Sequence, residues 1–158
     1  MNERPSVVVD VQWAVDKTGL PADADINNWV TMVVGAHQAE AELTVRIVDA
    51  QEITALNSQY RNQDKATNVL SFPADKDLPV AIPLLGDLVI CAEVVALEAA
   101  EQNKTSTAHW AHMVIHGCLH LLGYDHIERD QAEQMEQKEI NYMQKLDFPN
   151  PYEVITHS

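Results

Sequence analysis

The sequence predicts an α+β fold, with a small mixed β-sheet of about four strands packed against five or six helices. Alternating, valine-rich segments and segments with apolar residues at helical spacing follow one another along the chain. Both hairpin-like and crossover connections join them, which is typical of this fold class. At 158 residues the chain fits one domain with its own core, so we expect residues 1–158 to form a single domain.

The first half of the chain predicts two strands, each followed by a helix. SVVVDVQW (6–13) and AELTVRIVDA (41–50) alternate as strands do, the second with one apolar face. Between them, DADINNWVTMVVGAHQAEA has helical periodicity, with Asp23 or Asp25 as N-cap. Asp49 and Glu52 predict the start of a short helix that turns Leu56 and Tyr60 inward.

The second half predicts two further strands and three helices. TNVLSF is strand-like up to Pro73, residues 74–85 form a loop, and GDLVICAEV is a strand that runs into a helix ending near Asn103. Thr105 or Thr107 then caps a helix over roughly 107–122. After it, Asp130 is the expected cap of an acidic amphipathic helix with Met135, Ile140 and Met143 facing inward.

The composition of the sequence indicates where in the cell the protein is expected. No apolar run approaches the roughly 18 residues of a membrane span, and no secretory signal is visible at the N-terminus. Two cysteines, Cys91 and Cys118, do not make a disulfide framework. We therefore expect a cytoplasmic protein without a membrane partner.

The charge argues against a protein that coats nucleic acid, since the net charge is −14 and phosphate neutralisation requires clustered Lys and Arg. The distribution is uneven, however. Residues 57–76 carry three basic and two acidic side chains, whereas the segments on either side are strongly acidic. This is the one segment of the sequence with a positive balance.

The stretch HGCLHLLGYDH (116–126) carries the clearest chemical signal. His116 and His120 are four residues apart, so on a helix they project from one face about 40° apart. Gly123 can end that helix in the left-handed conformation, and His126 can return as a third ligand. Three imidazoles, each about 2.0–2.1 Å from a zinc ion, leave a fourth position open, as in catalytic zinc sites.

For the residues next to this stretch or within it, roles other than zinc ligand are simpler. His112 lies one turn before His116 and can be a ligand or a partner of one, although a fourth protein ligand would close the site. Cys118 points away from the two histidines beside it and is expected in the core. His109 is expected to be structural or exposed.

The spacing matches zinc peptidases with the motif H-E-x-x-H-x-x-G-x-x-H, except that position 117 is glycine. In those enzymes the glutamate is the general base, and glycine cannot accept a proton. A metal can still lower the pKa of a bound water to about 7. The motif therefore indicates a zinc hydrolase more strongly than a peptidase.

Three separated motifs, HGCLHLLGYDH, YRNQDKATNVLSFP (60–73) and LLGDLVIC (84–91), closely resemble the YbeY family of bacterial endoribonucleases over essentially the whole chain. The resemblance implies one Zn²⁺ held by His116, His120 and His126. It also implies a single-strand-preferring endoribonuclease that acts in ribosomal RNA maturation, notably at the 3′ end of the 16S RNA, and in ribosome quality control. The implied partners are the small ribosomal subunit and assembly factors, and the family's functional arginine falls on Arg61.

With that resemblance, the 57–76 segment gains a chemical role. Arg61 offers a planar set of donors that can stabilise charge on a phosphodiester, whereas without the resemblance a surface salt bridge would be the simpler interpretation. Lys65 can contact the RNA backbone. Asp125 can orient an imidazole, act on a water or stabilise a turn, and the sequence does not separate these roles.

Two alternative functions stay open at this point. One is a zinc metallopeptidase-like hydrolase, which Gly117 weakens. The other is a non-catalytic ribosome-assembly module whose zinc stabilises the helix that ends at Gly123, in which case removal of the metal should unfold the domain.

Overall fold

The computed structural model describes residues 6–75, 83–125 and 127–153. Within these ranges it contains four strands and five helices, as the sequence predicts. The strands are β1 (Ser6–Trp13), β2 (Glu40–Val48), β3 (Val69–Pro73) and β4 (Leu84–Cys91). The helices are α1 (Asp23–Gly35), α2 (Ala50–Arg61), α3 (Ala92–Glu101), α4 (Ser106–Leu121) and α5 (Arg129–Lys145).

The four strands form one mixed sheet in the order β1-β2-β4-β3. β1 pairs with β2 and β2 with β4 in parallel, so that Val45 lies between Val11 and Leu88. β3 pairs with β4 in antiparallel fashion, which places Ser71 opposite Leu88. The predicted α+β class with a mixed sheet is therefore confirmed.

The main core lies between one face of the sheet and helices α1 and α4. β2 and β4 contribute alternate residues to it, as the period of a strand requires, and all are at most 2% exposed: Leu43, Val45, Ile47, Leu88 and Ile90. α4 is central because twelve of its residues are buried, including Trp110. α5 packs on α4 from outside through Met135, Tyr142 and Met143.

A smaller core lies on the opposite face of the sheet, where α2 packs. It contains Val48, Ile53, Leu70, Val89 and Cys91. Because α2 ends at Arg61 beside β3, and α4 crosses β3 and β4 on the other face, the C-terminal end of α2 and the outer part of α4 approach the same edge of the sheet.

Several local predictions are confirmed by the caps and by burial. The Asp49 carboxylate accepts a hydrogen bond from the Glu52 amide at 2.8 Å, and the Thr105 hydroxyl accepts one from the Ala108 amide at 3.1 Å. Gly123, with φ at 102°, follows the end of α4. Cys118 is fully buried in the core, as expected.

The predicted N-caps of α1 and α5 are wrong. α1 begins after Ala22, and Asp25 instead accepts a hydrogen bond from the Ala22 amide at 3.3 Å. α5 begins after Glu128, whose side chain makes no capping hydrogen bond, and Asp130 lies inside the first turn, where its negative charge interacts favourably with the helix dipole.

The expected inward direction of Tyr60 is also wrong. Its side chain is 58% exposed and packs its ring edge-on against Phe72, with ring centres 5.3 Å apart. Ile53 and Asn57 are the buried residues of α2. Of the predicted loop 74–85, Leu84 and Leu85 already belong to β4, and residues 76–82 lie outside the described residues.

Across the described part of the chain, no helix has both the length and the apolar character that a membrane span requires.

Candidate metal centre and cleft

Three histidines of α4 lie along one face at four-residue spacing: His112, His116 and His120. The ring centres of His112 and His116 are 6.2 Å apart, and those of His116 and His120 are 4.7 Å apart. Two imidazoles on one tetrahedral zinc ion, with Zn–N bonds of about 2.0–2.1 Å, place their ring centres roughly 5 Å apart. The second pair therefore has a spacing that fits one shared metal.

The hydrogen bond made by His116 also fits a metal ligand. Its Nδ1 lies 3.1 Å from Oε1 of Glu139. A proton held at Nδ1 by a carboxylate leaves the lone pair on Nε2, which is the usual state of a metal-binding histidine. His116 and His120 both line an open cleft, so a metal and its substrate can reach them.

The third expected ligand, His126, lies outside the described residues, so the set of His116, His120 and His126 stays a prediction. Within the described residues, ligand atoms of His112, His116 and Glu139 lie within 4.8 Å of one another and could also hold a metal. The two sets share His116. They differ in location, because His120 lines the open cleft whereas His112 is 7% exposed and Glu139 1%.

Glu139 is the buried charge at the centre of this region. Oε2 contacts Nε2 of His112 and accepts a hydrogen bond from the Tyr152 hydroxyl at 2.6 Å, while Oε1 faces His116. Burial by itself raises the pKa of the Glu139 carboxyl, but hydrogen bonds and charges of His112 and His116 outweigh it and lower that pKa to about 2. Glu139 is therefore a carboxylate that accepts from all three partners.

Sequence reasoning missed Glu139, since it places only Met135, Ile140 and Met143 on the inward face of the acidic helix α5. A signal was nevertheless present. Met135, Glu139 and Met143 are spaced by four and share one face of the helix, and all three are at most 2% exposed. A carboxylate in the middle of an apolar helix face requires buried partners, and the histidines of α4 provide them.

The open cleft has a volume of about 960 Å³ and brings the predicted site residues together. Residues from α4 and the turn after it form one wall, and the end of α2, the following loop and β3 form another. Every predicted site residue within the described ranges lines it: Arg61, Lys65, His116, His120 and Asp125.

Arg61 is oriented by β3. Its Nη2 donates a hydrogen bond to the main-chain oxygen of Ser71 at 2.8 Å, and its guanidinium lies 5.8 Å from the ring centre of Phe72. A guanidinium carries several N–H donors in one plane. One bond to Ser71 can therefore fix its direction while the other donors face a ligand.

Hydrogen bonds to residues of α2 and α3 hold the loop that carries Lys65. Asn57, which is 4% exposed, donates to the main-chain oxygen of Lys65 at 3.0 Å. Further along, the Asn68 amide donates to both oxygens of the Glu98 carboxylate at 3.1 and 3.2 Å. Glu98 also pairs at 2.9 Å with His109, which is buried and therefore structural. Sequence reasoning did not identify this anchoring network.

Gly117 faces the sheet rather than the cleft. A Cβ at this position would lie 2.7 Å from Cδ2 of Leu88 and 3.3 Å from Cγ2 of Val69. The glutamate of the zinc-peptidase motif therefore has no space here. The absence of that general base follows from the packing of α4 on β3 and β4.

Comparison with known proteins identifies the family of the chain. Residues 13–147 match the family model described as endoribonuclease YbeY. Among solved structures, the chain is similar to TM1509 from Thermotoga maritima, determined in solution, with 26% sequence identity and a TM-score of 0.64. That similarity covers 92% of this chain and 99% of TM1509. Since the family model spans most of the sequence, the chain belongs to the YbeY family of endoribonucleases.

Proposed function

We propose that the chain is a zinc-dependent endoribonuclease that prefers single-stranded RNA and acts in ribosomal RNA maturation, at the 3′ end of the 16S RNA, and in ribosome quality control. The family gives the class of reaction. The observation that carries the proposal is the cleft, in which Arg61 and the pair of His116 and His120 line one space of about 960 Å³.

His116, His120 and His126 are the proposed ligands of one Zn²⁺. Imidazole nitrogens suit zinc, and the spacing of the first two rings supports their part of the set. When bound, zinc supplies a Lewis acid for phosphodiester cleavage.

The protein's own side chains supply binding and charge. Arg61 neutralises negative charge that develops on the phosphate, because its guanidinium is already directed by Ser71. Lys65 contacts the RNA backbone from the same wall of the cleft. Asp125 either orients a ligand imidazole or accepts a proton.

The nucleophile can be a water or the 2′-hydroxyl of the RNA itself. The product ends distinguish the two routes, since attack by the 2′-hydroxyl leaves a 2′,3′-cyclic phosphate whereas direct attack by water leaves a linear phosphate. Mass spectrometry of the fragments from a short single-stranded RNA measures this directly.

Charge supports recruitment by a partner. The net charge of −14 opposes unaided binding to RNA, and the basic residues Arg61 and Lys65 act locally in the cleft. We therefore propose that the small ribosomal subunit and assembly factors place the enzyme on its RNA in the cytoplasm.

The central test is cleavage of precursor ribosomal RNA by the zinc-loaded wild type, His116→Ala and Arg61→Ala, with metal content measured in each preparation. His116→Ala should lose both zinc and cleavage, while Arg61→Ala should keep zinc and lose cleavage. Arg129→Ala, at a largely exposed arginine of α5, is the matched control. The proposal fails if metal-loaded, nuclease-free wild type leaves single-stranded RNA intact and Arg61→Ala behaves the same.

The ligand set has its own test. His120→Ala should abolish stoichiometric zinc binding, whereas His112→Ala should leave measurable binding. The opposite result would place the metal between His112, His116 and Glu139.

A further inference from the structure

The chain segment after α5 returns to α4 and α5 and is held there by two hydrogen bonds, one from a residue just before α4 and one to a residue of α5. We call residues 149–153 the C-terminal strap. Lys104, just before α4, donates from Nζ to the main-chain oxygen of Pro151 at 2.6 Å. The Tyr152 hydroxyl donates to Oε2 of Glu139 at 2.6 Å, and its ring packs edge-on against His112 at 5.5 Å between centres.

Tyr152 thus reaches a carboxylate that is already shared by two histidines. Glu139 is 1% exposed, and burying a charge is costly unless every acceptor site is matched by donors. Oε2 is held by His112 and Tyr152, which leaves Oε1 directed at Nδ1 of His116 at 3.1 Å. The contacts to Oε2 therefore restrict the position of the oxygen that faces His116.

His116 connects the buried Glu139 to the cleft. His116 forms part of the cleft wall, whereas His112 and Tyr152 are absent from its lining. A carboxylate at Nδ1 fixes both the tautomer and the ring orientation of a metal-binding imidazole, and such partners change metal affinity about 10- to 100-fold when they are mutated.

We propose that Glu139 and Tyr152 are positioning residues for the metal ligand His116, in a chain of contacts that runs from the C-terminal strap through Glu139 to Nδ1 of His116. Neither residue touches substrate in this role. The proposal rests on the proposed function in one respect, that His116 binds the metal, and it is independent of RNA cleavage.

The test measures zinc release. Zinc-loaded wild type, Glu139→Gln and Tyr152→Phe are mixed with excess chromogenic chelator, and the rate of zinc loss is followed. Glu139→Gln should lose zinc about 10- to 100-fold faster. Tyr152→Phe should lose it about 2- to 10-fold faster, the factor expected for one ordinary hydrogen bond. Tyr142→Phe, which removes the hydroxyl of a buried tyrosine of α5, is the matched control and should match the wild type.

A second measurement separates positioning from general loosening of the fold. In ¹⁵N-labelled, metal-free protein, the imidazole of His116 should carry its proton on Nδ1 in the wild type, and Glu139→Gln should shift the population toward Nε2. Far-ultraviolet circular dichroism checks that each variant is folded. If Glu139→Gln does not fold, Tyr152→Phe still tests the proposal, because it keeps the ring and its packing.

The inference is overturned if both variants release zinc at the rate of Tyr142→Phe, or if the wild type retains no zinc. It is also overturned if zinc survives His120→Ala but not Glu139→Gln, since Glu139 would then be a ligand itself. If the wild type holds zinc and the variants release it in the expected order, but RNA stays intact, the positioning role is upheld. The proposed function is then contradicted.

Discussion

The guanidinium of Arg61 donates to the main-chain oxygen of Ser71 at 2.8 Å, and the Ser71 hydroxyl donates in turn to the main-chain oxygen of Gly117 at 3.2 Å. Ser71 therefore links the end of α2 to α4, the helix that carries His116 and His120. These two bonds fix the arginine relative to the histidines, although more than fifty residues separate them in the sequence.

The bond from Arg61 to Ser71 predicts that lysine cannot replace this arginine. An ammonium lacks the planar set of donors that can hold Ser71 and meet a phosphate together. We expect Arg61→Lys to lower kcat/KM for single-stranded RNA about 10- to 100-fold with zinc content unchanged. Arg129→Lys, the same change at a largely exposed arginine of α5, is the control. Full activity of Arg61→Lys would show that charge alone is sufficient.

The packing of Gly117 predicts that restoring the peptidase glutamate will damage the fold. Gly117→Glu would drive a carboxylate against Leu88 and Val69 in the core, and the combined overpacking and burial should lower the free energy of unfolding by roughly 3 kcal/mol or more. Urea unfolding of the metal-free protein measures this. Leu97→Glu, at a side chain 62% exposed on α3, is the control for the added charge. Unchanged stability together with peptide cleavage by Gly117→Glu would contradict the packing argument.

Both thiols should be inert in the native protein. Burial raises the pKa of Cys118 to about 12, and burial is also the main cause that raises the pKa of Cys91. The reactive thiolate is therefore scarce at pH 8, and both sulfurs lie in the core. We expect no reaction with a chromogenic disulfide reagent until denaturant is added, when two thiols per chain should react. Rapid labelling of the folded chain would show that one of these core regions opens readily.

His109 should make stability fall in mild acid. Burial lowers its pKa below 6.5, and the pairing with Glu98 offsets only part of that effect. As the pH falls through 6.5, the unfolded chain takes up a proton that folded His109 does not yet bind, so the free energy of unfolding decreases. The contribution of His109 to the free energy of unfolding is therefore complete above pH 6.5. It is lost as the pH falls to the lower pKa that His109 has in the folded protein.

Urea unfolding of metal-free protein at pH 7.5 and pH 5.5 tests this direction. The loss of stability between the two pH values should be smaller in His109→Gln than in the wild type. An amide at this position can still donate to Glu98 but does not titrate. Equal losses in the two proteins would show that His109 does not contribute to the pH dependence.

The sequence by itself determined the local features, because they depend on periodicity and on short-range hydrogen bonds. The i, i+4 spacing placed His116 and His120 on one helix face, and the side chains of Asp49 and Thr105 set the starts of α2 and α4. Alternation along β2 showed which of its faces is buried. Family resemblance, rather than spacing, drew attention to Arg61.

Only the tertiary structure decided which distant residues meet. The pairing of β3 with β4 and the packing of α4 across them bring Arg61 and the histidines to one cleft and close the space beside Gly117. The packing of α5 and the C-terminal strap on α4 makes Glu139 a buried partner of His116 instead of a solvated charge. These contacts depend on strand order and helix docking, which no local pattern in the sequence specifies.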